Sequence, residues 1–169
     1  MSAPASKQPT ARPPIRFYST NAPFGEFSNF ADYPVVIDGL KWPTSEHYFQ
    51  ACKFTHEDYQ ERIRLARTAD KAARLGRSRS VRIHRNWLKM RNDAMRRAVR
   101  AKFQQYASLQ ALLLSTGDAT IVEHTINDSY WGDGGDGRGR NMLGRILMEV
   151  RAELALQGAA PEAPPLGGE

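Results

Sequence analysis

Asn86-Trp87-Leu88-Lys89-Met90-Arg91-Asn92-Asp93-Ala94-Met95-Arg96-Arg97-Ala98-Val99-Arg100-Ala101-Lys102-Phe103-Gln104-Gln105-Tyr106 places apolar side chains at Trp87, Met90, Ala94, Met95, Ala98, Val99, Phe103 and Tyr106. Steps of three and four residues are the period of an α-helix, so the stretch predicts a long amphipathic helix with one buried stripe. Leu143, Ile146, Leu147, Val150 and Leu154 predict a second helix over about residues 142–156. Shorter helical signals lie around these two. Tyr59, Ile63 and Ala66 share a face; Ala72 and Leu75 follow Thr68, with Gly76 placed to end that helix in a left-handed cap. Leu109, Leu112 and Leu113 form another short helix, closing at Gly117.

The N-terminal part reads differently. Residues 15–19 have strand character and lead into a loop rich in Gly, Asn, Ser and Pro over residues 20–29. Residues 33–37, the Asp38-Gly39 pair and residues 40–42 predict a hairpin, because Asp-Gly supplies the positive φ angles of a tight turn. Pro43 stops the strand, and Thr44 or Ser45 can cap a helix running to about Lys53, with Thr44 favoured because Ser45, Glu46 and His47 then fill the first turn. Residues 121–125 suit a brief strand or an extended segment. With neither repeat nor linker, the pattern is an α+β fold: a helix-dominated single domain with a small N-terminal β-sheet or hairpin. The domain is expected over residues 15–157. Residues 1–14 and 158–169, dominated by Ala, Pro, Ser and Gly, are expected to be disordered tails, since neither has apolar periodicity to offset the entropy of ordering.

The 169 residues, 41% hydrophobic, suffice for one ordinary core. No apolar run reaches the length of a signal peptide core or a membrane span, and the single cysteine, Cys52, cannot form an internal disulfide. The expectation is a cytoplasmic protein with no membrane partner. Oligomeric state is not legible. The net charge of +6 comes largely from residues 62–102 and suits an anionic partner, either a phosphate-bearing ligand or a nucleic acid, although solvated helix faces give the same composition. His47, His56, His84 and His124 lack ligand spacing, so no metal or other cofactor is expected.

Two constellations carry chemistry. Glu46, Gln50 and Lys53, spaced four and three apart, form one helical stripe among the apolar Tyr48, Phe49, Ala51 and Phe54. Burial there would raise the carboxyl pKa and lower that of the amine, as acid–base or Schiff-base chemistry requires; a salt-bridged surface is the competing reading. The second runs from Glu123 to Asn141, with five glycines between 132 and 139 immediately before a helix. Gly132 and its neighbours permit close backbone approach, Arg138 and Arg140 are candidates for phosphate contact, and Trp131 beside Asp133 is placed to stack on a planar ring; a flexible surface loop is the alternative. Ser28 and Asn29, in the early loop, are further candidates for ligand contact, with a structural turn as the alternative.

Phe17-Tyr18-Ser19, Phe27-Ser28-Asn29-Phe30, the run from Trp42 to Ala51, Ala73-Arg74-Leu75-Gly76 and Tyr130-Trp131-Gly132-Asp133-Gly134 together resemble the NADAR family, nearest its bacterial YbiA-like branch. The similarity covers about residues 15–156. It implies a mainly helical domain that hydrolyses the C–N bond of phosphoribosylamino-pyrimidine intermediates of riboflavin biosynthesis, giving ribose 5-phosphate and a free aminopyrimidine. Other members remove ADP-ribose from guanine bases of DNA, so nucleic acid is the alternative partner. A non-catalytic ADP-ribose-binding module is a third reading. Carried over residue by residue, the resemblance marks Glu46 as the acidic group, Lys53 as the amine proposed to form a Schiff base, and Trp87, Trp131 and Asp133 as further site positions; either Glu46 or Asp133 can be the catalytic carboxylate that supports charge at the anomeric carbon or activates water, and Trp87 also fits the apolar stripe of its helix.

Overall fold

The computed structural model describes residues 12–159; of the tails expected over residues 1–14 and 158–169, positions 1–11 and 160–169 lie outside the described residues. The elements run β1 (Ile15–Phe17), a 3-10 turn (Gly25–Phe27), β2 (Val35–Ile37), β3 (Leu40–Trp42), α1 (Ser45–Ala51), α2 (Glu57–Arg64), α3 (Ala69–Gly76), α4 (Trp87–Gln105), α5 (Ala107–Ser115), β4 (Ile121–Glu123) and α6 (Met142–Ala159). This is an α+β fold dominated by helices. Its strands form two separate two-stranded sheets. β2 and β3 are the expected hairpin, turning through Asp38 (φ 52°) and Gly39 (φ 77°). β1 instead pairs in parallel with β4, Phe17 opposite Glu123, so this sheet joins the two ends of the domain and is not purely N-terminal.

α4 is the spine. Its buried residues Met95, Val99 and Phe103 meet Leu143, Ile146, Leu147, Val150 and Leu154 of α6, with Leu109 and Leu113 of α5 closing the side. Each such fully buried aliphatic or aromatic side chain contributes roughly 1.5–3 kcal/mol. A second cluster joins the hairpin residues Val35 and Trp42 to Tyr48, Ala51, Ile63, Ala72 and Ala98. α1 lies between the two, giving Phe49 to the first and Tyr48 and Ala51 to the second.

The structure departs from the periodic reading at several places. Met90, on the expected apolar stripe, is 39% exposed, whereas Lys102 is buried, its Nζ donating to the carbonyls of Ser28 (2.8 Å) and Glu26. α1 ends at Ala51, so Lys53 stands on the turn beyond it. α6 continues through Gly158 to Ala159, into the segment expected to be a tail. At the other end Arg12 reaches back, donating to the Ser115 carbonyl (3.3 Å) and pairing with Asp118 (3.4 Å). Among the described residues no helix is long and apolar enough to cross a membrane.

Candidate active site

α1 is anchored at its first turn. The Thr44 Oγ1 accepts from the His47 N–H (3.3 Å). Burial holds the His47 ring below its usual pKa, so the neutral ring accepts a hydrogen bond from the Thr44 hydroxyl at Nδ1 (2.8 Å) and donates from Nε2 to the Ala66 carbonyl (3.0 Å). The Glu46 N–H donates to the carbonyl of Asn29 (3.2 Å), which ties the early loop to the same turn. Ser28, one residue earlier, is buried and uses its Oγ to accept the Phe30 N–H (3.2 Å).

So positioned, Glu46 is buried on one wall of a cavity of about 430 Å³, and Gln50 Nε2 donates to its Oε1 (2.7 Å). Burial pushes the Glu46 carboxyl up to about 7, opposed by the Gln50 hydrogen bond and the Arg77 charge and reinforced by Asp128 and Asp70. Lys53 lines the same cavity and donates from Nζ to the Gly76 carbonyl (2.7 Å); burial, then Arg77, draws its pKa below the ordinary lysine value. Gly76 is helical, and the cap is Arg77 at φ −89°, so no left-handed cap forms there. The glycine serves another purpose: a Cβ at 76 would stand 1.8 Å from Gln50 Oε1, in the space Gln50 occupies while it holds Glu46.

The facing wall is the long loop after β4. Asp128 Oδ1 accepts the N–H groups of Tyr130 and Trp131, each at 2.7 Å. Asp133 Oδ1 accepts from Thr125 (3.1 Å) and Gly135 (2.9 Å), and His124 Nδ1 donates to its Oδ2 (2.8 Å). Burial alone would raise the Asp133 pKa, but His124 and then the two N–H groups outweigh it and hold the carboxyl below its usual range. Asn141, at φ 50°, closes the loop onto β4, accepting from Glu123 N–H (3.0 Å) and donating to the Ile121 carbonyl (2.8 Å). Gly132 packs where a Cβ would meet the Glu123 carbonyl at 2.8 Å.

Six of the sequence-predicted residues therefore share one cavity: Asn29, Glu46, Gln50, Lys53, Trp87 and Trp131. Phe49 lies between the two tryptophans, its ring centroid 5.2 Å from each. Ser28, Gly132, Asp133, Arg138 and Arg140 are not on its wall. Arg138 is 90% exposed beside Asp136, and Arg140 lies over the Tyr130 ring at 5.6 Å, so neither arginine expected to contact phosphate stands on the cavity wall. The arginines lining the cavity are Arg77, from the end of α3, and Arg91, from α4, whose guanidinium stacks 3.4 Å above the Tyr130 ring. Glu123 and Asp128 also line the cavity; the sequence places both in the second constellation but singles out neither as a site residue. Glu123 carried a readable signal, because it is two residues from the apolar Ile121 in a strand and so shares its face.

The NADAR domain family model matches residues 16–155. The chain is 55% identical over 143 residues to the N-glycosidase YbiA of Escherichia coli (strain K12), covering 85% of this chain and 89% of that protein. It is 38% identical to the chloroplastic riboflavin biosynthesis protein PYRR of Zea mays, covering 90% of this chain and 27% of that protein. The solution NMR structure of E. coli YbiA superposes with a TM-score of 0.85 at 49% identity, covering 95% of this chain and 96% of that one.

Proposed function

The chain belongs to the NADAR family and is an N-glycosidase; on that premise we propose that its substrate is a phosphoribosylamino-pyrimidine of the riboflavin pathway, cleaved to ribose 5-phosphate and a free aminopyrimidine. The observation that carries this reading is the single cavity in which Glu46 and Lys53 stand with two tryptophans and two arginines. Its volume of about 430 Å³ suits a mononucleotide-sized ligand. The riboflavin biosynthesis protein among the relatives supports the pathway.

As the glycosidic nitrogen leaves, positive charge grows at the anomeric carbon, and Glu46 is placed to stabilise it or to take a proton from the attacking water. Trp131 is the indole placed to stack on the pyrimidine, while Trp87, buried in the core, lines the cavity and packs against Phe49. Arg77 and Arg91 hold the 5-phosphate in place of Arg138 and Arg140. Asp133 acts indirectly, by fixing the loop that presents Trp131. In a covalent variant, neutral Lys53 adds to the anomeric carbon and water later releases the sugar imine. Release of ribose 5-phosphate from the phosphoribosylamino-pyrimidine, lost in Glu46→Gln, is the expected outcome; borohydride trapping of a protein–sugar adduct, absent in Lys53→Ala, separates the imine route from direct hydrolysis.

A second reading has its own observation. Between residues 62 and 91 only Arg64 among the basic side chains forms an ion pair within the described residues, whereas Arg96, Arg97 and Arg100 of α4 are paired with Glu149, Asp38 and Glu153. An unpaired basic surface beside the cavity suits ADP-ribosylated DNA. Salt separates the two: a nucleic acid substrate gives a steep linear fall of log affinity with log salt, and a single phosphate a shallow one. The shallow dependence is expected, and faster guanine-linked ADP-ribose release with a steep slope overturns the first reading.

A further inference from the structure

We propose that Glu123 is a second catalytic carboxylate, the general acid that protonates the departing nitrogen while Glu46 serves the sugar and the water. The proposal rests on the N-glycosidase reading of the cavity and assigns a role to a group that reading leaves idle.

The placement follows from the strand. Ile121 is fully buried in the main core, and Glu123, two residues on, projects from the same face of β4, where the core gives way to the cavity. Its N–H donates to Asn141 Oδ1 and its carbonyl accepts the Asp133 N–H (2.9 Å), so the carboxylate is the polar group it has left to offer the cavity. Among the described residues that carboxylate has no hydrogen-bond donor. The nearby acids of the following loop are committed: Asp128, also on the cavity wall, to the N–H groups of Tyr130 and Trp131, and Asp133, behind it, to His124, Thr125 and Gly135. Glu46 has the Gln50 amide.

The charges around the two glutamates are unequal. Arg77 acts on Glu46, whereas the groups acting on Glu123 are all carboxylates: Asp128 and Asp133 from its own loop and Glu46 from α1. Burial followed by those like charges pushes the Glu123 carboxyl up to about 7, with no donor drawing it back. Lys53, Arg77 and Arg91 are the cavity's cations, and they enter from α1's following turn, α3 and α4. Both carboxyls are pushed up to about 7, so the division comes from their partners: the Gln50 donor and the Arg77 charge act on Glu46 and favour the anion there, while Glu123 has neither and is left as the proton carrier, as acid–base cleavage of a glycosidic bond requires.

The step balances. The bond from C1′ to nitrogen breaks with its electron pair going to nitrogen, and Glu123 transfers its proton to that nitrogen. Water oxygen bonds to C1′, and Glu46 takes the proton that water loses. The products are the free amine and ribose 5-phosphate, and exchange with solvent returns one proton from Glu46 to Glu123.

The test compares Glu123→Gln with wild type on two substrates: the phosphoribosylamino-pyrimidine, whose nitrogen needs a proton to leave, and p-nitrophenyl riboside 5-phosphate, whose phenolate leaves without one. The expected result is a loss about a hundredfold or more greater on the amine substrate than on the nitrophenyl substrate, with the fall of wild-type kcat/KM above about pH 7 absent from the variant. Glu46→Gln should lose activity on both. A melting curve at or above that of wild type checks that the variant is folded, and Glu123→Asp, which keeps the acid, should retain more of the amine reaction than the glutamine variant. Equal losses on both substrates, or no loss on either, overturn the acid role while leaving the N-glycosidase reading intact. Wild-type silence on both substrates overturns the substrate reading and this proposal with it.

Discussion

The helical wall of the cavity and its loop wall hold their groups in different ways. On α1 the backbone is satisfied by the helix itself and its threonine cap, so Glu46 and Gln50 are free to spend their polar atoms on each other and on the cavity. Between β4 and α6 the backbone forms irregular bonds to itself, such as Gly139 N–H to the Asp133 carbonyl, and side chains of Asp128, Asp133 and Asn141 satisfy further N–H and carbonyl groups that these leave open. An acidic residue on the first wall is therefore available for chemistry, while most of those on the second are consumed in holding shape.

Glu46→Gln gives the largest separation of the two. Turnover should fall by about 10²–10⁴-fold. Stability should move the other way. The folded-state pKa is raised to about 7 from 4.5, so between those values the native chain holds a proton that the unfolded chain has released, and stability declines as pH rises through that window. Above pH 7 the native carboxylate carries the full cost, which glutamine lacks. The variant should be more stable there, by about 1–3 kcal/mol, and so melt higher, with no gain near pH 4. A lower melting temperature at pH 8 would show that the buried charge is better compensated than its surroundings indicate.

Asp133→Ala should behave in the opposite way, losing stability first. Three hydrogen bonds to a buried carboxylate go, a cost of about 2–4 kcal/mol, with faster amide exchange at Thr125 and Gly135. Full stability with lost turnover would move Asp133 into the chemistry. Arg77→Met should raise KM about tenfold to a hundredfold for a 5-phosphorylated substrate and far less for its dephosphorylated analogue, while Arg138→Met changes neither. Matching effects from the two would return the phosphate to the glycine loop. Trp131→Ala is expected to weaken binding by about 1–3 kcal/mol through lost stacking, an effect that overlaps the Arg77→Met loss, and an unchanged KM would leave this indole a packing role against Phe49 and Tyr130.

Much of the helical wall was legible in advance because its determinants are local. The Thr44 cap, the spacing of Glu46 and Gln50, and the stripes of α4 and α6 depend on residues within a turn or two of one another. What failed depended on distant partners. Lys102 reads as a surface cation until the carbonyls of Glu26 and Ser28, more than seventy residues earlier, are placed around it. Arg77 enters the cavity and Arg138 does not, though both follow glycine in basic stretches; the difference is the packing of α3 against α1, which periodicity does not encode. β1 finds its partner more than a hundred residues away, and no local pattern announces that pairing.

Gly76 turns this geometry into a genetic boundary. Any missense change of a glycine codon adds at least a methyl group, and at this position the group it strikes is the end of a flexible glutamine rather than rigid backbone. Gln50 can swing aside at little steric cost, but only by releasing Glu46. In a mutational scan position 76 should therefore score as tolerant for abundance and intolerant for growth that depends on turnover. Gly39, with open space around its missing side chain, should give no comparable split, its cost being the backbone strain of φ 77° alone.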